Sequence, residues 1–187
     1  MAQQALRLLL ADDEASVREP LAKYLSRTYG YKIDTAGNAQ AVLLLLAETQ
    51  GNYDVVLIDD LLMPTADQEP EPLGVVLTKE IKARYDQIEV IVFTGWGLKS
   101  GDVLQAGAYR YLSKPFNLDE LGFIIESAAE FGRLRSIVRE KQILEQLMQS
   151  STALISGQSQ VEVLHTILHG VQAIGFDRVC LYLLTDD

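Results

Sequence analysis

The sequence predicts an α/β fold: a doubly wound parallel sheet of five strands, followed by a long helix and part of a second α+β domain. Apolar runs and helical patterns alternate five times up to residue 149. This order is typical of a parallel sheet with helices on both faces. The runs VVLI (55–58) and VIVF (90–93) are apolar at every position, which indicates central strands buried on both sides.

The elements follow one another in a regular order. Strands are expected at residues 6–11, 31–36, 53–60, 88–95 and 109–115, and helices at 16–27, 38–49, 75–85, 98–108 and 117–149. Ser16 and Glu19 have the spacing of a capping box for the first helix, and Asn117 is the expected N-cap of the last. The domain boundaries are expected at 1–128, 129–152 for a helical linker, and 153–187 for a second domain.

Composition excludes several classes of protein. The net charge of −10 over 187 residues disfavours direct binding to nucleic acid, because phosphate neutralisation needs clustered Lys and Arg. The single cysteine, Cys180, fits a reducing compartment. The amino terminus lacks a basic signal-peptide region, and the longest aliphatic run is too short to span a membrane. We therefore expect a cytoplasmic protein without a membrane partner.

Polar side chains stand at the ends of four predicted strands. They are Asp12, Asp13, Asp59, Asp60, Thr94 and Lys114. The carboxyl ends of parallel strands meet at one edge of the sheet, where ligands bind in such folds. Clustered carboxylates repel one another unless a cation joins them, and oxygen ligands suit Mg²⁺. Lysine and threonine opposite the acids are suitable partners for phosphoryl oxygens.

Four motifs carry a family resemblance: ADDE at 11–14, DLLMP at 60–64, FTG at 93–95 and YLSKPF at 111–116. On these motifs, residues 5 to about 128 resemble the receiver domain of bacterial two-component response regulators, a flavodoxin-like fold. The resemblance implies a phosphoryl group taken from a sensor histidine kinase or phosphotransfer protein, with Mg²⁺ as cofactor. It implies reactions on the chain's own aspartate only, and not an independent enzyme.

The resemblance also implies a role for each matching residue. Asp60 stands three residues before Met63 and four before Pro64, the spacing of the phospho-accepting aspartate. The implied Mg²⁺ ligands are Asp12, Asp13, Asp60 and the backbone carbonyl of Leu62. Lys114 would pair with the phosphate, Thr94 would move onto it, and Tyr111 would be the switch aromatic. Successive strand side chains point to opposite faces, so Asp59 is expected to lie outside the pocket.

Two segments depart from the family pattern. The acidic, proline-rich loop Thr65–Pro72 makes its region about six residues longer than usual, which long surface loops tolerate. It is a surface insertion, a flap over the phosphorylation pocket, or a filter on kinase choice through like-charge repulsion. The stretch from Thr94 to Gly107 is about two residues shorter than usual, so the fourth helix is expected to be short or shifted. Trp96 lies either beside the site or against the sheet edge.

The carboxyl-terminal third predicts a signalling helix and a second module. One heptad register holds Leu134, Ile137, Leu144 and Met148, with Glu130 and Lys141 interrupting it. This pattern indicates a parallel dimer seam or, alternatively, a solvated helix on the next domain. The tail resembles the opening of a GAF domain. His165 and His169 share a helix face, but no third metal ligand is evident.

The leading hypothesis is therefore a phospho-accepting receiver that relays a signal to a downstream module. The alternative is a phosphorylation-independent interaction or dimerisation scaffold that retains the site. A phosphatase with an aspartyl nucleophile is disfavoured, because the second aspartate that such enzymes place two residues after the nucleophile is missing.

Overall fold

Seven strands and six helices occupy the part of the chain that the computed structural model describes, residues 5–95, 100–155 and 160–173. The strands are β1 (Arg7–Ala11), β2 (Lys32–Ala36), β3 (Val55–Asp59), β4 (Leu61–Leu62), β5 (Glu71–Pro72), β6 (Glu89–Thr94) and β7 (Arg110–Ser113). The helices are α1 (Ala15–Tyr29), α2 (Ala39–Glu48), α3 (Gly74–Arg84), α4 (Ser100–Gln105), α5 (Leu118–Ile155) and α6 (Gln160–Ala173).

The main sheet has five parallel strands in the order β2-β1-β3-β6-β7. Every residue of β3 and β6 is buried, as their continuous apolar runs predicted. In the ladder, Ala11 of β1 lies opposite Ile58 of β3, and Asp59 lies opposite Phe93 of β6. The predicted doubly wound flavodoxin-like fold is confirmed.

Helices cover both faces of this sheet. One apolar layer is formed by α2, α3 and α4 with the sheet, and the other by α1 and α5. The first layer buries Val42, Leu46, Leu77, Ile81 and Val103. The second buries Leu21, Leu25, Leu121, Ile124 and Ile125. These two layers hold the strand ends rigidly, and the site is built on them.

The start of α1 differs from its prediction. The helix begins at Ala15 after Glu14, and no side-chain cap bond is formed, so the predicted capping box of Ser16 and Glu19 is wrong. The N–H of Glu14 donates to Asp12 Oδ1 at 2.9 Å. This turn starts the helix early and places Ser16 inside its first turn.

Asparagine side chains cap two other helices. Asn38 accepts a hydrogen bond from the Ala41 N–H at 2.8 Å and begins α2. Asn117 accepts from Asp119 N–H at 2.8 Å and from Glu120 N–H at 3.4 Å at the start of α5. The predicted cap at Asn117 is confirmed.

The loop that was predicted to be longer than usual closes a small antiparallel hairpin, β4–β5. The hairpin pairs Leu61 with Pro72 and Leu62 with Glu71. We call residues 61–72 the acidic hairpin. The two residues after its first strand are tied to α2, because Ala39 and Gln40 donate their N–H groups to the carbonyls of Met63 and Pro64 at 2.8 and 3.1 Å.

The tip of the acidic hairpin and its second strand are exposed and carry negative charge into solvent. Asp67, Glu69 and Glu71 are all exposed. Leu61 in β4 is exposed as well, whereas its neighbour Leu62 is fully buried. The hairpin thus has one side in the core and an acidic side outside it.

The chain divides into two units, Met1–Leu134 and Arg135–Asp187, and α5 passes from one to the other. Within α5, Leu134, Ile137, Leu144 and Met148 are exposed. The rings of His165 and His169 in α6 lie 5.5 Å apart. Trp96, Cys180 and the predicted strand of the GAF-like segment lie outside the described residues. None of the described helices is long and apolar enough to cross a membrane.

Candidate functional site

The ends of β1, β3 and β7 bring charged side chains together at one edge of the sheet. Asp12 follows β1 directly, and Asp59 is the last residue of β3. Because Ala11 and Ile58 are ladder partners, the residues after them lie side by side. Lys114 follows β7 and donates its backbone N–H to the Thr94 carbonyl at 2.8 Å.

The Lys114 ammonium joins two of these carboxylates. Its Nζ lies 2.6 Å from Asp59 Oδ2 and 3.1 Å from Asp12 Oδ2. Asp13 completes the cluster, since one oxygen each of Asp12, Asp13 and Asp59 lies within 4.8 Å of the others. Asp12 and Asp59 are buried and Asp13 is half-buried, so the cluster is open on the Asp13 side.

Burial and neighbouring charge oppose each other in this cluster. Burial raises the pKa of Asp59 to about 6, with repulsion from Asp12 and Asp13 adding to the rise and Lys114 opposing it. Burial alone would lower the pKa of the Lys114 ammonium, but its bonds to Asp59 and Asp12 raise it above its usual value. Lys114 is therefore a firm cation, and Asp59 is an aspartate whose charge is costly without a further cation.

The predicted position of Asp60 inside this pocket is wrong. Asp60 lies on the other side of the strand end, with Oδ1 2.8 Å from where a Cβ on Gly74 would stand. The alternation of side chains separates the two aspartates as expected, but Asp59 is the one that faces Lys114. The spacing to Met63 selected Asp60 because one additional residue lies between the end of the β3 ladder and Met63.

The predicted backbone ligand and switch residues are placed as follows. Leu62 lies in β4, opposite Glu71. Thr94 is buried at the end of β6. Tyr111, in β7, is half-buried against the α2–α4 layer and borders a cleft of about 430 Å³ together with Leu104. Thr94 therefore stands at the same edge as the carboxylates, and Tyr111 lies in the strand that leads to Lys114.

Arg18 is a neighbour of the site that the sequence motifs did not indicate. Its Nη1 donates to the Asp12 carbonyl at 2.5 Å. The same atom is 3.3 Å from where a Cβ on Gly37 would stand. The sequence signal for this contact is the position of Arg18 in the first turns of α1, six residues after Asp12. An arginine at that position can reach back over the loop before the helix.

The donor set of the cluster fits Mg²⁺. Three carboxylates supply the hard oxygen ligands that this ion prefers, and an open side leaves room for water or a phosphoryl oxygen. A cation there would offset the repulsion that raises the pKa of Asp59. Within the described ranges this is the one group of three or more His, Cys, Asp or Glu side chains with metal-binding spacing, so His165 and His169 remain a pair.

A family model for the response regulator receiver domain matches residues 8–126. This chain belongs to that family. The matched residues contain the main sheet apart from Arg7 of β1, together with the helices that connect its strands, and they include the acidic cluster.

Curated relatives are similar to the receiver and beyond it. AtoC of Escherichia coli is 32% identical over 147 residues, 78% of this chain and 29% of that protein. An NtrX-like putative response regulator of Rickettsia felis is 31% identical over 154 residues, 81% of this chain and 30% of that protein. Response regulator Rre1 of Synechocystis is 30% identical over 165 residues, 79% of this chain and 67% of that protein. The chain thus spans less than a third of the first two.

Solved structures agree on the fold. NtrX from Brucella abortus superposes with a TM-score of 0.61 at 27% identity, covering 75% of this chain and 30% of that one. A receiver domain from Clostridium thermocellum gives a TM-score of 0.60 at 26% identity, covering 69% and 98%.

The chain therefore contains a receiver domain of two-component signal transduction. Receiver domains bind Mg²⁺ at an acidic pocket and interact with sensor histidine kinases or phosphotransfer proteins. The scaffold alternative is not favoured, because the carboxylate, hydroxyl and ammonium groups of the family's site are all present at one edge of the sheet.

Proposed function

We propose that Asp59 is the residue that accepts the phosphoryl group. The observation that supports this is the 2.6 Å contact between Lys114 Nζ and Asp59 Oδ2. In the family resemblance, the lysine after the fifth strand of the main sheet pairs with the phosphate on the acceptor. Only one of the two consecutive aspartates can meet that lysine, and it is Asp59.

The proposed chemistry is an in-line displacement with Asp59 as nucleophile. An Asp59 oxygen forms a bond to phosphorus while the bond from phosphorus to the donor's imidazole nitrogen breaks. The leaving nitrogen keeps the electron pair and takes up a proton. Lys114 offsets the charge that the transferred group brings into a partly buried site. The chain acts on its own aspartate and is not an independent enzyme.

Mg²⁺ is the proposed cofactor, and Asp12, Asp13 and Asp59 would hold it. When bound, it neutralises phosphoryl oxygens and the crowded carboxylates. The family resemblance places a backbone carbonyl ligand two residues after the acceptor. With Asp59 as acceptor, that ligand moves from Leu62 to Leu61.

The response to phosphorylation is proposed to run through Thr94 and Tyr111. Thr94 carries the hydroxyl at the end of β6 that would bond the phosphoryl oxygens. Its movement inward would leave space for Tyr111, which is already half-buried and flanked by a cleft. The face of α4, β7 and α5 would change as a result.

Downstream, α5 is proposed to be a signalling helix that forms a parallel dimer and leads into a GAF-like domain. Support comes from its 38-residue length and from the exposed Leu134, Ile137 and Leu144 at heptad spacing. Ile137→Glu should lower the dimer fraction in analytical ultracentrifugation, whereas Gln142→Glu, at an exposed position outside the register, should not. Equal dimer fractions in all three proteins would contradict the seam.

The acceptor is tested by incubating the chain with acetyl phosphate and Mg²⁺ and measuring its intact mass. The wild type and Asp60→Asn should each gain one phosphoryl group, and Asp59→Asn should gain none. Asp67→Asn, in the exposed hairpin, is the charge-matched control and should behave as wild type. Loss of the adduct in Asp60→Asn with retention in Asp59→Asn would refute the assignment.

A further inference from the structure

Asp60 carries a buried carboxylate that the proposed chemistry does not use. Asp60 is only 5% exposed. Its Oδ1 has no hydrogen-bond partner among the residues that the structure describes. Burial of an ionised carboxylate is costly unless something compensates it. A neutral side chain of the same size would avoid that cost. The groups around Asp60 must therefore explain why a carboxylate is present.

Helix α3 begins beside this carboxylate and has no capping side chain of its own. Its N-cap residue, Leu73, makes no side-chain cap bond, and its first turn contains no acid. The amino end of a helix has unpaired N–H groups and partial positive charge, which an adjacent carboxylate stabilises. Asp60 Oδ1 lies 2.8 Å from where a Cβ on Gly74, the first residue of α3, would stand. The Asp60 carboxylate, directly after β3, thus stands at the amino end of α3, where the helix has no capping side chain.

The backbone of Asp60 is tied to two elements as well. Its N–H donates to the Phe93 carbonyl at 2.8 Å, and its carbonyl accepts the N–H groups of Leu73 at 2.9 Å and Gly74 at 3.3 Å. One residue therefore joins the end of β3 to β6 and to the start of α3. It sits between Asp59 and Leu61, the proposed acceptor and the proposed backbone ligand.

We infer that Asp60 is a positioning residue, whose carboxylate fixes the amino end of α3 against β3 and thereby holds the Leu61 carbonyl in place for Mg²⁺. This inference rests on the proposed role of Asp59. Groups that orient metal ligands typically change metal affinity by about 10–100-fold when they are removed. Loss of the carboxylate should therefore weaken Mg²⁺ binding and loosen the start of α3 together.

The test compares Asp60→Ala and Asp60→Asn with wild type and with the control Asp67→Asn. Hydrogen exchange is followed at the Leu73 and Gly74 amides, and Mg²⁺ affinity is measured by thermal stabilisation. Asp60→Ala should exchange faster and need about tenfold more Mg²⁺. Asp60→Asn keeps the shape and an acceptor oxygen but loses the charge, so its exchange rate and Mg²⁺ requirement should lie between those of wild type and Asp60→Ala. Asp67→Asn should match wild type in both measurements.

Wild-type exchange and wild-type Mg²⁺ requirement in Asp60→Ala would overturn the inference, as would faster exchange without any change in Mg²⁺ requirement. If Asp60→Ala does not fold, Asp60→Asn decides by the same two measurements. Neither measurement needs phosphorylation. Failure of the proposed function is seen separately, as a wild-type chain that gains no phosphoryl group or gains it on Asp60.

Discussion

Gly74, the first residue of α3, approaches β3 and β6 so closely that a methyl group does not fit. A Cβ at this position would lie 2.8 Å from Asp60 Oδ1, 2.9 Å from Val92 Cγ1 and 3.1 Å from Asp60 Cα. These atoms belong to the buried strand ends and cannot swing away as an exposed side chain would. Overpacking of this kind costs about 1–3 kcal/mol, so Gly74→Ala should lower the free energy of unfolding by that amount.

Gly101 in α4 is the matched control, because nothing lies within 4 Å of its Cβ position. Gly101→Ala should leave stability unchanged or raise it by about 0.5–1 kcal/mol, since alanine restricts the unfolded chain. Both variants are compared with wild type by urea unfolding followed by circular dichroism. Stability of Gly74→Ala equal to that of Gly101→Ala would refute the close approach of α3 to β3.

Three further predictions concern charge, capping and metal. The pKa of Asp59 is about 6 in the folded chain against 3.8 for the free side chain. The protonated side chain therefore contributes most to stability below pH 4, and this contribution is lost as the pH rises to 6. Without Mg²⁺, the urea midpoint of the wild type should fall across this pH window, and the midpoint of Asp59→Asn should fall less. Asn38→Ala removes the cap of α2 and should cost about 1 kcal/mol in the same unfolding assay, and a loss below a third of that would contradict the cap. Mg²⁺ at about 100 times its dissociation constant should add about 2.7 kcal/mol, and Asp13→Asn should require more Mg²⁺ for the same rise in melting temperature; an unchanged requirement would exclude Asp13 as a ligand.

Most of the fold follows from the sequence because its signals are local and agree with one another. The apolar runs of β3 and β6 have the length and composition of buried parallel strands, and the cap at Asn117 is formed as predicted. The capping box at Ser16 fails because a side chain from the site, Asp12, captures the Glu14 N–H and starts the helix early. Competition from a residue outside the motif cannot be read from the motif.

The choice between Asp59 and Asp60 shows a second limit. Counting back from Met63 assumes a fixed number of residues beyond the strand, where the chain can accommodate one more in a hairpin. Counting forward along the ladder is safer, because each rung is fixed by hydrogen bonds and burial. Four apolar residues, Leu8 to Ala11, precede Asp12, and four, Val55 to Ile58, precede Asp59. This parallel in the sequence would have selected Asp59.

The acidic hairpin is anchored to α2 through Met63 and Pro64, and Leu73, the residue that follows it, is bonded to Asp60. Its tip, 65–70, can therefore change in length without passing strain to the strand ends. Each doubling of a flexible loop costs only about 0.6 kcal/mol. The tip is thus a suitable grafting point, where an epitope or a fluorophore-labelled peptide can be inserted while the side chains of the acidic cluster keep their positions.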